Sequence, residues 1–100
     1  MLTAPQRWRR TAGTEVVERA VGGQTLLVPI RSSPTQKVNI FTLNETGGFV
    51  WTALRESATA SHLAHSVAEE FEVTLSQAQA DVRAFLDALG GLGLVEVVPT

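Results

Sequence analysis

Leu43-Asn44-Glu45-Thr46-Gly47-Gly48-Phe49-Val50-Trp51 is the stretch at which this chain changes its hydrophobic period. Before it, Lys37-Val38-Asn39-Ile40-Phe41-Thr42-Leu43 is short, β-branched and aromatic, as strands are. After it, Val50, Trp51 and Leu54 fall on one stripe of a helix. Asn44 suits the N-cap, where its side-chain oxygen accepts from an otherwise orphan backbone N–H, and Glu45 favours the positive end of the helix dipole. The junction predicts a strand over 37–43 running directly into a helix over 45–55.

Working upstream, Glu15-Val16-Val17-Glu18-Arg19 and Gln24-Thr25-Leu26-Leu27-Val28-Pro29-Ile30 flank the turn signal Gly22-Gly23, which predicts a hairpin. Pro29 cannot donate to a ladder and belongs at a strand end, an edge or a bulge. Residues 31–36, with Ser32-Ser33-Pro34, read as a loop. Residues 1–13, with Pro5, Gly13 and three arginines, read as a flexible N-terminal arm in which Trp8 is the one residue suited to docking.

Downstream, Thr59 caps a second predicted helix through Phe71, whose stripe is Leu63, Ala64, Val67, Ala68 and Phe71. Thr74-Leu75-Ser76-Gln77 has the form of a capping box and opens a third helix with Ala78, Val82, Phe85, Leu86 and Leu89 on its buried stripe. Gly90-Gly91 is expected to end it, and Leu92 to Val98 to return as a terminal strand. The expected class is α+β and winged helix-turn-helix-like, a three-stranded antiparallel sheet followed by three helices, forming one domain over 14–98.

One hundred residues, 44% of them hydrophobic, suffice for one core. No cysteine is present, which excludes disulfides and thiolate chemistry. Arg7, Arg9 and Arg10 interrupt any apolar N-terminal run, and no membrane span is evident, so a cytoplasmic location is expected. The net charge of −2 conceals an asymmetry: residues 1–50 hold six Lys/Arg against three Glu, and residues 51–100 two Arg against seven Asp/Glu.

Residues for catalysis are sparse. His62 and His65, with Glu69, would give a metal only one helical face, whereas zinc sites use three or four supported ligands. The glycine pairs lack the spacing and the Lys-Ser/Thr of a phosphate loop, and no G-x-S-x-G elbow occurs. Glu69-Glu70 with Glu72, and Asp81 with Asp87, read as water-facing acids. The expectation is a protein without enzymatic activity, cofactor or metal. A winged-helix DNA-binding regulator is the competing reading, from helix order and the arginine arm. Its recognition helix, however, would carry Arg83 against Asp81 and Asp87 and so repel phosphates.

Leu43-Asn44-Glu45-Thr46-Gly47, Phe49-Val50-Trp51, Val67-Ala68-Glu69-Glu70-Phe71, Ala80-Asp81-Val82, Phe85-Leu86 and Gly93-Leu94-Val95, in that order, resemble the PqqD family over about residues 15–97. The resemblance implies a RiPP recognition element, which binds the leader segment of a ribosomally made precursor peptide. The leader would add as a strand to the third strand and lie against the third helix. The implied partners are that peptide and a modification enzyme or leader peptidase, with no nucleic acid and no membrane.

Carried onto this chain, the docking strand would be Val38, Asn39, Ile40, Phe41 and Thr42. Which face of that strand is inward stays open, and Pro34 in the preceding loop leaves its pairing open as well. Gln79, Arg83 and Leu86, at i, i+4, i+7 on one flank of the third helix, would form the groove wall, with Arg83 placed to pair with an acidic leader residue.

Overall fold

Among the described residues, hydrogen bonding sorts the strands into two three-stranded antiparallel sheets, joined through three helices. The computed structural model describes residues 5–13, 15–30 and 40–99. In chain order the elements are β1 (Arg7–Arg10), β2 (Val16–Val21), β3 (Gln24–Pro29), β4 (Phe41–Leu43), α1 (Glu45–Ala53), β5 (Ala58–Thr59), α2 (Ala60–Phe71), α3 (Leu75–Gly91) and β6 (Val95–Val97). The α+β class expected from the sequence is the class observed.

The first sheet has the order β2-β3-β4. Val21 pairs with Gln24, leaving Gly22-Gly23 as a two-residue turn in which Gly22 takes a φ of 61°, a conformation glycine reaches without steric cost. Pro29 closes β3 opposite Val16, so the strand loses no interior hydrogen bond to it. β4 lies antiparallel to β3, with Leu27 opposite Phe41 and Thr25 opposite Leu43. Directly opposed residues share a face, and Leu27 is fully buried, so Phe41 and Leu43 point inward and Thr42 outward. This settles the question of face left open by the sequence. The expected loop 31–36 and the residues 37–39 of the expected third strand lie outside the described residues.

The second sheet is a correction to the sequence reading. The arm expected over 1–13 contributes β1, the central strand of the order β5-β1-β6. Trp8 lies opposite both Ala58 and Val97, and Arg10 lies opposite Val95. The ladder extends through Thr11 N–H to Leu94 C=O at 3.1 Å and Val98 N–H to Arg7 C=O at 2.8 Å. Its partners come from the distant segments around residues 58 and 96, so local periodicity carries no sign of it.

Each helix begins where its cap predicts. Asn44 Oδ1 accepts from Gly47 N–H at 2.8 Å, Thr59 Oγ1 from His62 N–H at 3.1 Å, and Thr74 Oγ1 from Gln77 N–H at 3.1 Å. The Gln77 side chain, expected to reach back to Thr74, instead donates forward to Asp81 Oδ1 at 2.8 Å. α3 runs through Gly90-Gly91 and stops later. Gly93 takes a φ of 76°, and Leu94 N–H to Leu89 C=O (2.9 Å) with Gly93 N–H to Gly90 C=O (3.1 Å) completes a Schellman ending. Gly90 lies within α3 beside the Trp8 ring, which packs against the core; a Cβ there would make an ordinary contact at 3.7 Å.

One core serves both sheets. Leu27 from β3, Val50 and Trp51 from α1, Leu63 and Val67 from α2, and Val82 from α3 are almost wholly buried in it. Each such side chain contributes roughly 1.5–3 kcal/mol of apolar burial. Phe49 and Phe71 close its edge as a T-shaped pair with centroids 5.6 Å apart. Among the described residues no helix is long and apolar enough to cross a membrane.

Candidate functional site

A short strand followed at once by a capped helix leaves β4 at the rim of its sheet. Among the described residues β4 pairs only with β3, and its other edge has no strand partner among them. Beside that edge an open groove of about 530 Å³ separates β4 and the start of α1 from α3. Phe41, Leu43, Val50, Phe85 and Leu89 supply its apolar lining, and Ile40 and Leu92 stand partly in solvent beside it, 61% and 46% exposed. Ala84 and Ala88 also line it, and their small side chains leave the space open. Gly47 contributes to the same wall; a Cβ there would lie 3.3 Å from both Asn44 Oδ1 and Leu43 Cβ, so the strand-to-helix corner admits only glycine without a shift.

The structure divides the residues singled out from the sequence. Ile40, Phe41 and Thr42 line the groove, and Val38 and Asn39 lie outside the described residues. Gln79, Arg83 and Leu86 do not line it. They surround a second depression, about 430 Å³, together with Trp8, Ala60 and Asp87. At about 3.6 residues per turn, Asp81, Ala84, Phe85, Ala88 and Leu92 centre on a line roughly 170° round α3 from Gln79, Arg83 and Leu86. Both sets border the buried stripe, one on each side. The available signal was Ala84 and Ala88, two small residues one turn apart beside Phe85, where an exposed face would otherwise favour long polar side chains.

On the far side of α1 a polar cluster ties the two sheets together. Arg10 lies over the Trp51 ring at 4.2 Å and donates to the Trp51 carbonyl, Nη2 at 2.6 Å and Nε at 3.1 Å. Glu18 on β2 accepts from Arg10 Nη1 at 3.0 Å and from Trp51 Nε1 at 2.7 Å. Burial lowers the pKa of the Arg10 guanidinium; the Glu18 carboxylate opposes that fall and the charge of Arg55 adds to it. An arginine remains charged through such a fall, so the cluster is a fixed ionic tie.

His62 and His65 sit on the exposed side of α2, where His65 Nδ1 lies 2.8 Å from the Ser61 carbonyl. Among the described residues no three His, Asp or Glu side chains gather in a metal-binding group. Among the described residues the groove lining is mostly apolar, with Thr42, Asn44, Thr46 and Asp81 as its polar side chains.

Comparison with known proteins gives a family. The model of the family described as coenzyme PQQ synthesis protein D (PqqD) matches residues 24–95. No curated protein matches. Among solved structures, TbiB1 in complex with the TbiA(beta) leader peptide superposes with a TM-score of 0.69 at 21% identity, covering 92% of this chain and 99% of that one. The PqqD truncation of Methylobacterium extorquens PqqCD, described as a functional, stand-alone RiPP recognition element, superposes with a TM-score of 0.64 at 18% identity, covering 90% and 88%. Both share the fold.

Proposed function

This chain belongs to the PqqD family, and from that premise we propose that it binds the leader segment of a ribosomally synthesised precursor peptide and presents it to a modification enzyme. The leader adds as a strand to the free edge of β4 and lies in the groove against α3. The observation that carries this reading is the coincidence, in one place, of a strand edge that has no partner among the described residues and an apolar groove. An edge supplies backbone hydrogen bonds that any extended peptide satisfies, and the pockets beside it select alternate side chains and fix register. TbiB1, a relative in fold that was solved in complex with a leader peptide, supports a leader as the occupant.

The energetics suit a carrier. Residues of the groove sit on α1, α3 and β4, elements capped and packed on the core, so little ordering cost falls on the protein when a peptide arrives. The peptide carries most of that cost, which favours reversible binding and hand-over.

The test is fluorescence anisotropy with labelled, tiled leader segments from the precursor peptides encoded beside this chain's gene. Micromolar or tighter binding, weakened at least tenfold by Ile40→Asp, is expected. Absence of binding by every segment to the folded wild-type domain would overturn the proposal.

A further inference from the structure

We infer that the groove selects leader segments that carry a lysine or arginine close to an apolar anchor, and that Asp81 reads that cation. The inference rests on the peptide-binding reading and adds the composition of the peptide. Asp81 is the one ionisable residue among the described residues lining the groove. Every other lining residue is apolar, a neutral amide or hydroxyl, or glycine.

Among the described residues its charge has no counter-ion. Asp81 Oδ1 accepts from Gln77 Nε2 at 2.8 Å, a neutral partner that fixes the carboxylate's direction and leaves its second oxygen free for a ligand. The ion pairs among the described residues join Arg9 to Glu96 and Arg10 to Glu18, both away from this groove. Arg83, the cation nearest in sequence, belongs to the depression on the opposite flank of α3. A half-buried carboxylate beside apolar walls is screened less than one in open water, so it discriminates between a cation and an anion brought beside it.

The spacing narrows the sequence that fits. Along α3, Ala84 and Ala88 lie about 4.5 and 10.5 Å beyond Asp81 at a rise of ~1.5 Å per residue. Those two alanines open the room for a bulky side chain. In an extended peptide, residues on one face recur about every 7 Å. A peptide running along α3 therefore places its cation two residues from its apolar anchor, on the same face. An acidic residue at that position would face Asp81 and be rejected, which gives the groove a negative as well as a positive criterion.

The experiment uses a phage-displayed library of random 12-residue peptides selected on the full chain, followed by titration of synthetic winners. The expected consensus is a large apolar residue with Lys or Arg two positions away. Replacing that cation by Glu should weaken binding at least tenfold to wild type. Asp81→Lys should reverse the order, binding the Glu peptide better than the Lys peptide. Asp81→Asn should bind both about equally and lose the salt dependence seen with wild type. If Asp81 serves only to hold Gln77, Asp81→Asn, whose amide oxygen still accepts from Gln77, leaves the preference between the two peptides as in wild type and Asp81→Lys weakens both alike, and the inference fails while groove binding stands. Winners that are insensitive to Ile40→Asp would instead overturn the peptide-binding reading itself, with circular dichroism of each variant confirming that it is folded.

Discussion

Arg10 and Glu18 meet at 3.0 Å beneath the indole of Trp51, and that contact joins a strand from each sheet to the first helix. Arg10 belongs to β1 and Glu18 to β2, so the pair spans two sheets that share no backbone ladder among the described residues. Arg10→Ala removes a cation–π contact, the hydrogen bonds to the Trp51 carbonyl and the partner of Glu18 together. Discounted for the partial exposure of the pair, the loss should be about 2 kcal/mol, or roughly 10 °C in Tm for a domain of this size. Thermal unfolding followed by circular dichroism checks it. Glu18→Gln, which can still accept from Trp51, should cost less.

Glu72 holds the left-handed conformation, with a φ of 52°, at the end of α2, and its side chain is exposed. A side chain there carries a steric cost that glycine avoids, partly offset by glycine's greater freedom in the unfolded chain. Glu72→Gly should therefore stabilise the fold by about 0.5 kcal/mol, and Glu72→Val should destabilise it by more than that. Urea denaturation gives both values.

Asn44 caps α1 at the corner that follows β4, and it is also part of the groove lining. Asn44→Ala should cost about 1 kcal/mol of stability through the lost cap, whereas Asn44→Asp should be nearly neutral. If the corner also orders β4, leader affinity falls with Ala and survives with Asp. Urea denaturation and anisotropy on the same variants check the pair of outcomes.

The two flanks of α3 give opposed expectations. Ala84 and Ala88 are exposed, so Ala84→Phe or Ala88→Phe should change stability by no more than about 0.5 kcal/mol while filling the groove and weakening leader binding at least tenfold. Gln79→Ala and Arg83→Glu, on the other flank, should leave leader affinity within about twofold, since surface changes remote from a contact couple weakly to it. Anisotropy titration of these four variants separates the flanks.

That division marks where the sequence is informative. Helix starts were legible because Asn44, Thr59 and Thr74 announce themselves by chemistry that acts over three residues. The hairpin was legible because Gly22-Gly23 separates two apolar runs that pair locally. β1 was not, because Arg7-Trp8-Arg9-Arg10 has no apolar alternation and its partners lie tens of residues away. Gly90-Gly91 predicts the end of α3 too early, because the helix continues through both and the left-handed turn falls on Gly93. Of the residues the sequence singled out, Ile40, Phe41 and Thr42 line the groove, whereas Gln79, Arg83 and Leu86 line the depression on the other flank of α3. A buried stripe has two borders, and the sequence marks the polar one, Gln79 and Arg83, more visibly than the empty one, Ala84 and Ala88.

Addition of a leader to β4, in the groove against α3, is open to direct observation by solution NMR of the isotope-labelled chain with an unlabelled leader segment that binds it. Interstrand contacts are expected between the peptide backbone and Phe41, Thr42 and Leu43, with shift changes at Ala84, Phe85 and Ala88 and none beyond error at Gln79 and Arg83. Peptide contacts confined to Trp8, Arg83 and β6, with β4 unperturbed, would contradict it.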